Sequence, residues 1–154
     1  MAAGLLGLAS CKKPAALAGP VVSVPLGLSA DLNIPPDNPL TAEKVALGKL
    51  LFFDKRLSVD GTVSCATCHD PHKGWSDAAP VSTGVRGQKG TRNAPTVVNS
   101  TYHPVQFWDG REPTLEAQAK GPIINPLEMG FPHHDFAVAA IRKIPGYQPL
   151  FEKA

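Results

Sequence analysis

The 154 residues carry 15 Lys and Arg against 13 Asp and Glu, a formal charge of +2, and no basic run stands out, so nucleic acid is not an expected partner. One domain with a short tail fits this length. Hydrophobic residues make up 43%, enough for a modest core, while 16 Pro and 14 Gly point to few regular elements joined by long irregular connections.

Met1 to Ser10 is apolar and small, too short to span a bilayer, and reads as the end of a secretory signal without its positive n-region. Leu8-Ala9-Ser10-Cys11 resembles the lipobox of bacterial lipoproteins, with Lys12 and Lys13 directly behind it. Residues 1–11 are therefore expected to be a signal and lipid-anchor remnant, and the true start of the gene to lie upstream. Residues 12–38 are rich in Ala, Pro and Gly, ending in Asn33-Ile34-Pro35-Pro36-Asp37-Asn38, and read as a tether that becomes an ordered lead-in loop. The domain proper is expected over residues 39–154.

Thr41 is the predicted N-cap of a first helix, with Glu43 in its first turn and Val45, Leu47, Leu50 and Leu51 at helical spacing before Phe52 and Phe53. Asp54 to Gly61 is turn-rich, and a short helix is expected over Ser64 to His69. Pro71 to Pro104 reads mostly as loop, with Trp75, Val81, Val85 and Val97 arguing that it is ordered. Thr114 to Lys120 is a predicted helix with Pro113 near its start. Asp135 to Ile144 is an amphipathic helix stopped by Pro145-Gly146, and Gln148 to Ala154 looks like the beginning of another.

Cys65-Ala66-Thr67-Cys68-His69 is the attachment pattern of a c-type haem. Two thiols three apart on one helical turn reach the two vinyl groups of one porphyrin, and the next residue places an imidazole under the iron. A thioredoxin-like redox pair needs a strand running into the motif, and Ser58 to Ser64 is too polar for one. A structural zinc site needs four ligands, and there is no second Cys pair. Covalent haem implies assembly outside the cytoplasm. Met129, 60 residues beyond His69, is spaced as the second axial ligand of an electron-transfer cytochrome; its alternative is a core gap-filler.

Several motifs in order resemble the N-terminal domain of the bacterial di-haem cytochrome c peroxidase family, which includes MauG-like enzymes. They are Leu47-Gly48-Lys49-Leu50-Leu51-Phe52-Phe53-Asp54, the haem motif, Gly90-Thr91-Arg92-Asn93-Ala94-Pro95-Thr96-Val97, Phe107-Trp108-Asp109-Gly110-Arg111, and Gln118-Ala119-Lys120-Gly121-Pro122 leading to Asn125-Pro126-Leu127-Glu128-Met129. The resemblance implies a mostly helical cytochrome c-like domain that holds the peroxidatic haem and reduces hydrogen peroxide to water. It implies that Gln118 and Glu128 are the distal-side pair, with Pro122 shaping the pocket between them. Trp108 is then the relay between two haems, Asn93 a contributor to an interdomain calcium site, and Met129 a neighbour of the catalytic Glu128. The residue chemistry agrees. Splitting the O–O bond needs a proton moved from one oxygen to the other, which Glu128 can do, and burial beside a haem would raise its pKa. Gln118 can donate a hydrogen bond to an oxygen.

The sequence departs from the family in two ways. Many members carry a His in the long loop that ligates the resting iron. By the register of Arg92-Asn93-Ala94-Pro95 that position is Val85 here, so the iron is expected to be open without reductive activation. His72 should stay on the proximal side, and His103, His133 and His134 are expected at the surface. The family's second haem domain is missing, and with it the entry point for electrons from a small cytochrome or cupredoxin. The expectation is a truncated chain, the alternative a second domain on a separate chain. The other readings are an electron-transfer cytochrome with His69 and Met129 as ligands, MauG-like oxidation of a protein substrate, and haem held structurally or as a sensor. A periplasmic location is expected, with a lipid anchor at Cys11 and homodimerisation as further expectations.

Overall fold

The computed structural model describes residues 21–154, so the signal and lipobox reading of residues 1–11 lies outside it. All regular structure among these residues is helical: α1 (Ala42–Phe53), α2 (Cys65–Cys68), α3 (Leu115–Ile124), α4 (His134–Arg142) and α5 (Gln148–Phe151), with four single 3-10 turns between them. No described helix is long and apolar enough to cross a membrane.

The helix starts follow from local chemistry. Thr41 and Thr114 are the N-caps of α1 and α3; their hydroxyls accept the backbone N–H of Lys44 and Ala117, both at 3.1 Å. The α3 helix runs four residues past the expected Lys120, through Gly121 and Pro122. Pro122 cannot donate to the carbonyl of Gln118, but the following turn supplies the helix end: Met129 N–H reaches the Pro122 carbonyl (3.2 Å) and Phe131 N–H that of Ile123 (3.0 Å). The α4 helix begins one residue before and ends two before the expected bounds.

Two small cores hold the domain. Leu47, Ile141 and Tyr147 form one, flanked by Leu51, Leu57, Ile144 and Leu150; Val63, Val85 and Met129 form the other, flanked by Leu57 and Ile123. Of the expected α1 stripe only Leu47 is buried, while Val45 and Leu50 face outward. The helix lies along the surface and buries a single edge, Leu47 and Leu51, one turn apart.

The long irregular stretch is built from three tight loops, each closed by an antiparallel bridge between residues six apart: Asp70 with Ser76, Thr83 with Lys89, and Gln106 with Glu112. Each carries left-handed backbone, at Gly74 and Trp75, at Arg86 and Gly87, and at Phe107 and Gly110. The lead-in loop is likewise docked: Tyr102 Oη donates to the Ser29 carbonyl (2.8 Å), Asn33 Nδ2 to that of Thr101 (2.9 Å), and Asn38 Nδ2 to Glu116 Oε1 (3.0 Å).

Asp54, at the end of α1, ties the chain's last third to its first helix. Its side chain, only 9% exposed, takes a forked contact from Arg56 (2.6–3.0 Å) and the hydroxyl of Tyr147 at 2.7 Å. Arg56 chiefly, then Tyr147, holds the carboxyl well below the ordinary aspartate range against the opposing effect of burial. This contribution is complete above the unfolded pKa of about 3.9 and is lost as pH falls through the lower folded value. Urea titration should therefore show Asp54→Asn less stable than the parent at pH 7, with the gap closing below about pH 4. Tyr147→Phe should cost about 1 kcal/mol at neutral pH.

Candidate haem site

Cys65 and Cys68 stand one turn apart on α2, both half-buried free thiols. The helix is opened by Ser64, whose backbone N–H donates to Thr67 Oγ1 at 2.9 Å. Burial pushes both thiols above their ordinary pKa, with Ser82 opposing this at Cys68. A redox Cys-x-x-Cys pair works through a lowered thiol pKa, so this environment argues against one.

His69 caps α2, and its Nδ1 faces two backbone carbonyls, Pro95 at 3.0 Å and Trp75 at 3.3 Å. A carbonyl only accepts, so Nδ1 carries the proton and Nε2 keeps the lone pair that binds a metal. Trp75 reaches this position with φ +62, a left-handed conformation costly for a bulky residue, immediately after Gly74 at φ +66. Phe52 packs between the Trp75 ring (5.9 Å between centroids) and the His69 ring (6.5 Å). Two thiols on one turn, a tautomer fixed to offer Nε2, and an aromatic wall are what a covalent haem requires. Neither carbonyl was foreseen from the sequence, although Pro95 lies in a motif that was.

Glu128 sits on the turn that follows α3, and every residue there is tied down. Asn125 Nδ2 donates to Glu128 Oε1 at 2.7 Å, and the Asn125 carbonyl accepts the N–H groups of Glu128 and Gly130. Val85 N–H donates to the Glu128 carbonyl (2.9 Å), and Val59 N–H to that of Met129 (2.8 Å). Burial raises the Glu128 pKa, opposed by the positive charge of Arg111 and by the Asn125 hydrogen bond. Its charge also raises both Cys65 and Cys68, so the carboxyl lies within electrostatic reach of the two thiols. Gln118 and Pro122 share one face of α3, four residues apart, with Gly121 beside them; Phe107, at φ +65, packs its ring on Gly121. No hydrogen bond joins Gln118 and Glu128.

The remaining expectations divide. Trp108 is 68% exposed, so it is no part of the core, and its Nε1 donates to the Asn93 carbonyl at 3.4 Å. Asn93 is exposed and turns its amide nitrogen to the Ala79 carbonyl (2.7 Å). Met129 is buried against Val63 and Val85, as a core side chain would be. Among the described residues Val85 is the most completely buried large side chain, at 0% exposure, and its N–H is fixed on the Glu128 carbonyl. His72 and His103 are exposed; His133 caps α4, and His134 Nε2 lies 3.0 Å from the Lys120 carbonyl.

The model of the di-haem cytochrome c peroxidase family matches residues 42–154. This chain belongs to that family. Among relatives, the methylamine utilization protein MauG of Methylorubrum extorquens is 50% identical over 120 residues, covering 78% of this chain and 34% of its own length. The cytochrome c peroxidase Ccp of Escherichia coli is 48% identical over 118 residues, 77% of this chain and 25% of its own. The crystal structure of a MauG-like protein associated with microbial copper homeostasis superposes with a TM-score of 0.73 at 36% identity, covering 84% of this chain and 39% of that one. The chain thus spans about a third of the length of the MauG relatives. Family membership brings c-type haem with it, and the expected mostly helical, cytochrome c-like domain is the one observed.

Two glycines position Glu128 and went unnoticed as site residues. A Cβ on Gly84 would stand 2.0 Å from the Leu127 carbonyl oxygen and 2.7 Å from the Glu128 Cα, both backbone atoms that cannot turn aside. Gly130 combines φ +76 with a would-be Cβ contact of 2.8 Å to Val85 Cγ2. In this member of the di-haem cytochrome c peroxidase family Gly84→Ala should cost about 3 kcal/mol or more by overpacking. Gly130→Ala should cost about 1–2 kcal/mol from its left-handed backbone alone. Thermal unfolding of the purified variants reads both.

Proposed function

We propose that this chain is the peroxidatic haem domain of a di-haem peroxidase, reducing hydrogen peroxide to water with two electrons and two protons. Cys65 and Cys68 would hold haem c by thioether bonds and His69 Nε2 would ligate its iron; the haem supplies the metal at which peroxide is reduced. The observation that carries the reading is Glu128: a half-buried carboxyl of raised pKa, fixed by Asn125 and within electrostatic reach of both thiols.

The chain's own residues then have distinct tasks. The Glu128 carboxylate takes the proton from one oxygen of the peroxide and returns it to the other. The Gln118 amide donates a hydrogen bond that orients the peroxide, and Pro122 and Phe107 limit the space for water. Trp108, exposed and held through Asn93, passes electrons in from a second haem domain, which a small cytochrome or cupredoxin would reduce. The Asn93 side-chain oxygen would be one ligand of a calcium ion shared with that domain. Periplasmic residence, a lipid anchor at Cys11 and homodimerisation complete the reading. Oxidation of a protein substrate through Trp108 is the second reading, favoured by the 50% identity to a MauG protein.

Stopped-flow mixing of the haem-loaded ferric chain with peroxide tests the proton carrier. Glu128→Gln keeps the shape and removes the base, and should slow the reaction about 10²-fold or more; Gln118→Ala should cost less. Because the carboxylate form does the work and burial raises its pKa, the parent rate should rise with pH through a midpoint above the ordinary glutamate value. That step should vanish in Glu128→Gln. A Glu128→Gln variant as fast as the parent removes Glu128 from the mechanism.

A further inference from the structure

Residues Arg92 to Pro95 belong to no helix or bridge, yet this segment presents the carbonyl that fixes the His69 tautomer. Its residues are held from outside. The Ala94 carbonyl accepts Ser76 Oγ at 2.8 Å, and the Asn93 carbonyl faces Trp108 Nε1. Arg92 is held by Asp109, Nη1 to Oδ2 at 3.0 Å. Asp109 accepts Arg111 Nη1 on the same carboxylate at 2.8 and 3.0 Å, and the Arg111 guanidinium lies 3.5 Å over the Phe107 ring, which packs on Gly121 of α3. One carboxylate thus links the loop behind His69 to the helix that carries Gln118 and Pro122. Isolated surface ion pairs contribute little to stability, about 0–1 kcal/mol, so two arginines meeting on one aspartate are better explained by alignment than by strength.

We propose that Asp109 is a positioning residue: by gripping Arg92 and Arg111 together it holds the Pro95 carbonyl on His69 Nδ1, and so sets how strongly His69 donates to the haem iron. The inference rests on His69 as the iron ligand. A firm Nδ1–H···O=C bond makes the imidazole a stronger donor and favours ferric iron; slackening it favours ferrous iron. The two arginines sit on opposite sides of the clamp, and only Arg92 lies on the Pro95 segment.

The test uses the haem-loaded chain, with the ferrous iron–histidine stretch by resonance Raman and the midpoint by potentiometric titration. Asp109→Asn should lower the stretching frequency and move the ferric–ferrous equilibrium roughly tenfold toward ferrous, about 59 mV for a one-electron couple. Asp109→Glu should restore most of both. Arg92→Gln separates clamp from charge. Removing a positive charge by itself lowers the midpoint, whereas releasing the Pro95 segment raises it and lowers the stretch; the rise is expected. Arg111→Gln should leave the stretch near the parent value. If Asp109→Asn fails to hold haem, Arg92→Gln carries the same test. An unmoved stretch with a falling midpoint in Arg92→Gln overturns the clamp. A parent whose ferrous iron is five-coordinate high-spin and still shows no iron–histidine stretch instead overturns His69 ligation, and the clamp with it.

Discussion

The hydrogen bond between His69 Nδ1 and the Pro95 carbonyl is the interaction on which the site depends. The Cys-x-x-Cys-His pattern brings two thiols and an imidazole together, but it does not say which ring nitrogen faces the metal. That is settled 26 residues further on by a backbone oxygen, with Trp75 supplying a second at the cost of left-handed backbone. Such strain costs about 1–3 kcal/mol, and here it aims a carbonyl.

The three bridge-closed loops explain how a domain with so little regular structure holds several groups in register. The first delivers Trp75 to His69, the second presses Gly84 and Val85 against the Glu128 turn, and the third carries Phe107, Trp108, Asp109 and Arg111. Each closes over six residues, a short span whose closure entropy is small, so function-bearing loops are ordered without helix or sheet. The helices serve mainly as mounts: α2 for the thiols, α3 for Gln118, Pro122 and the start of the Glu128 turn.

What the sequence made legible is what depends on side-chain identity over short range. Thr41 read as a cap and is one, and the short helix expected around Cys65 and Cys68 is there, with His69 at its end. The run past Lys120 was hidden because a proline normally ends a helix, and only the N–H groups of Met129 and Phe131 make its continuation tolerable. Val45 and Leu50 matched the helical period but not the burial, since periodicity gives a face and not the width that is covered. The contacts of Gly84, Asn125 and Pro95 were beyond reach for another reason. They are main-chain or main-chain-adjacent contacts between segments distant in sequence, and backbone carbonyls carry no residue-specific signal. Trp75 and Phe107 break the usual rule for positive φ, so composition hides them too.

In the proposed function a haem on Cys65 and Cys68 would have His69 as its only protein ligand, with the other face left to peroxide under Glu128. The electron paramagnetic resonance spectrum of the haem-loaded ferric chain, recorded before any reduction, tests this most directly. A predominantly high-spin signal is expected, because Val85 takes the position where many family members carry a ligating His, and Met129 is packed into the core beside it. A fully low-spin signal, accompanied by an optical sulfur-to-iron band, would mean that Met129 ligates the iron, and would contradict the account.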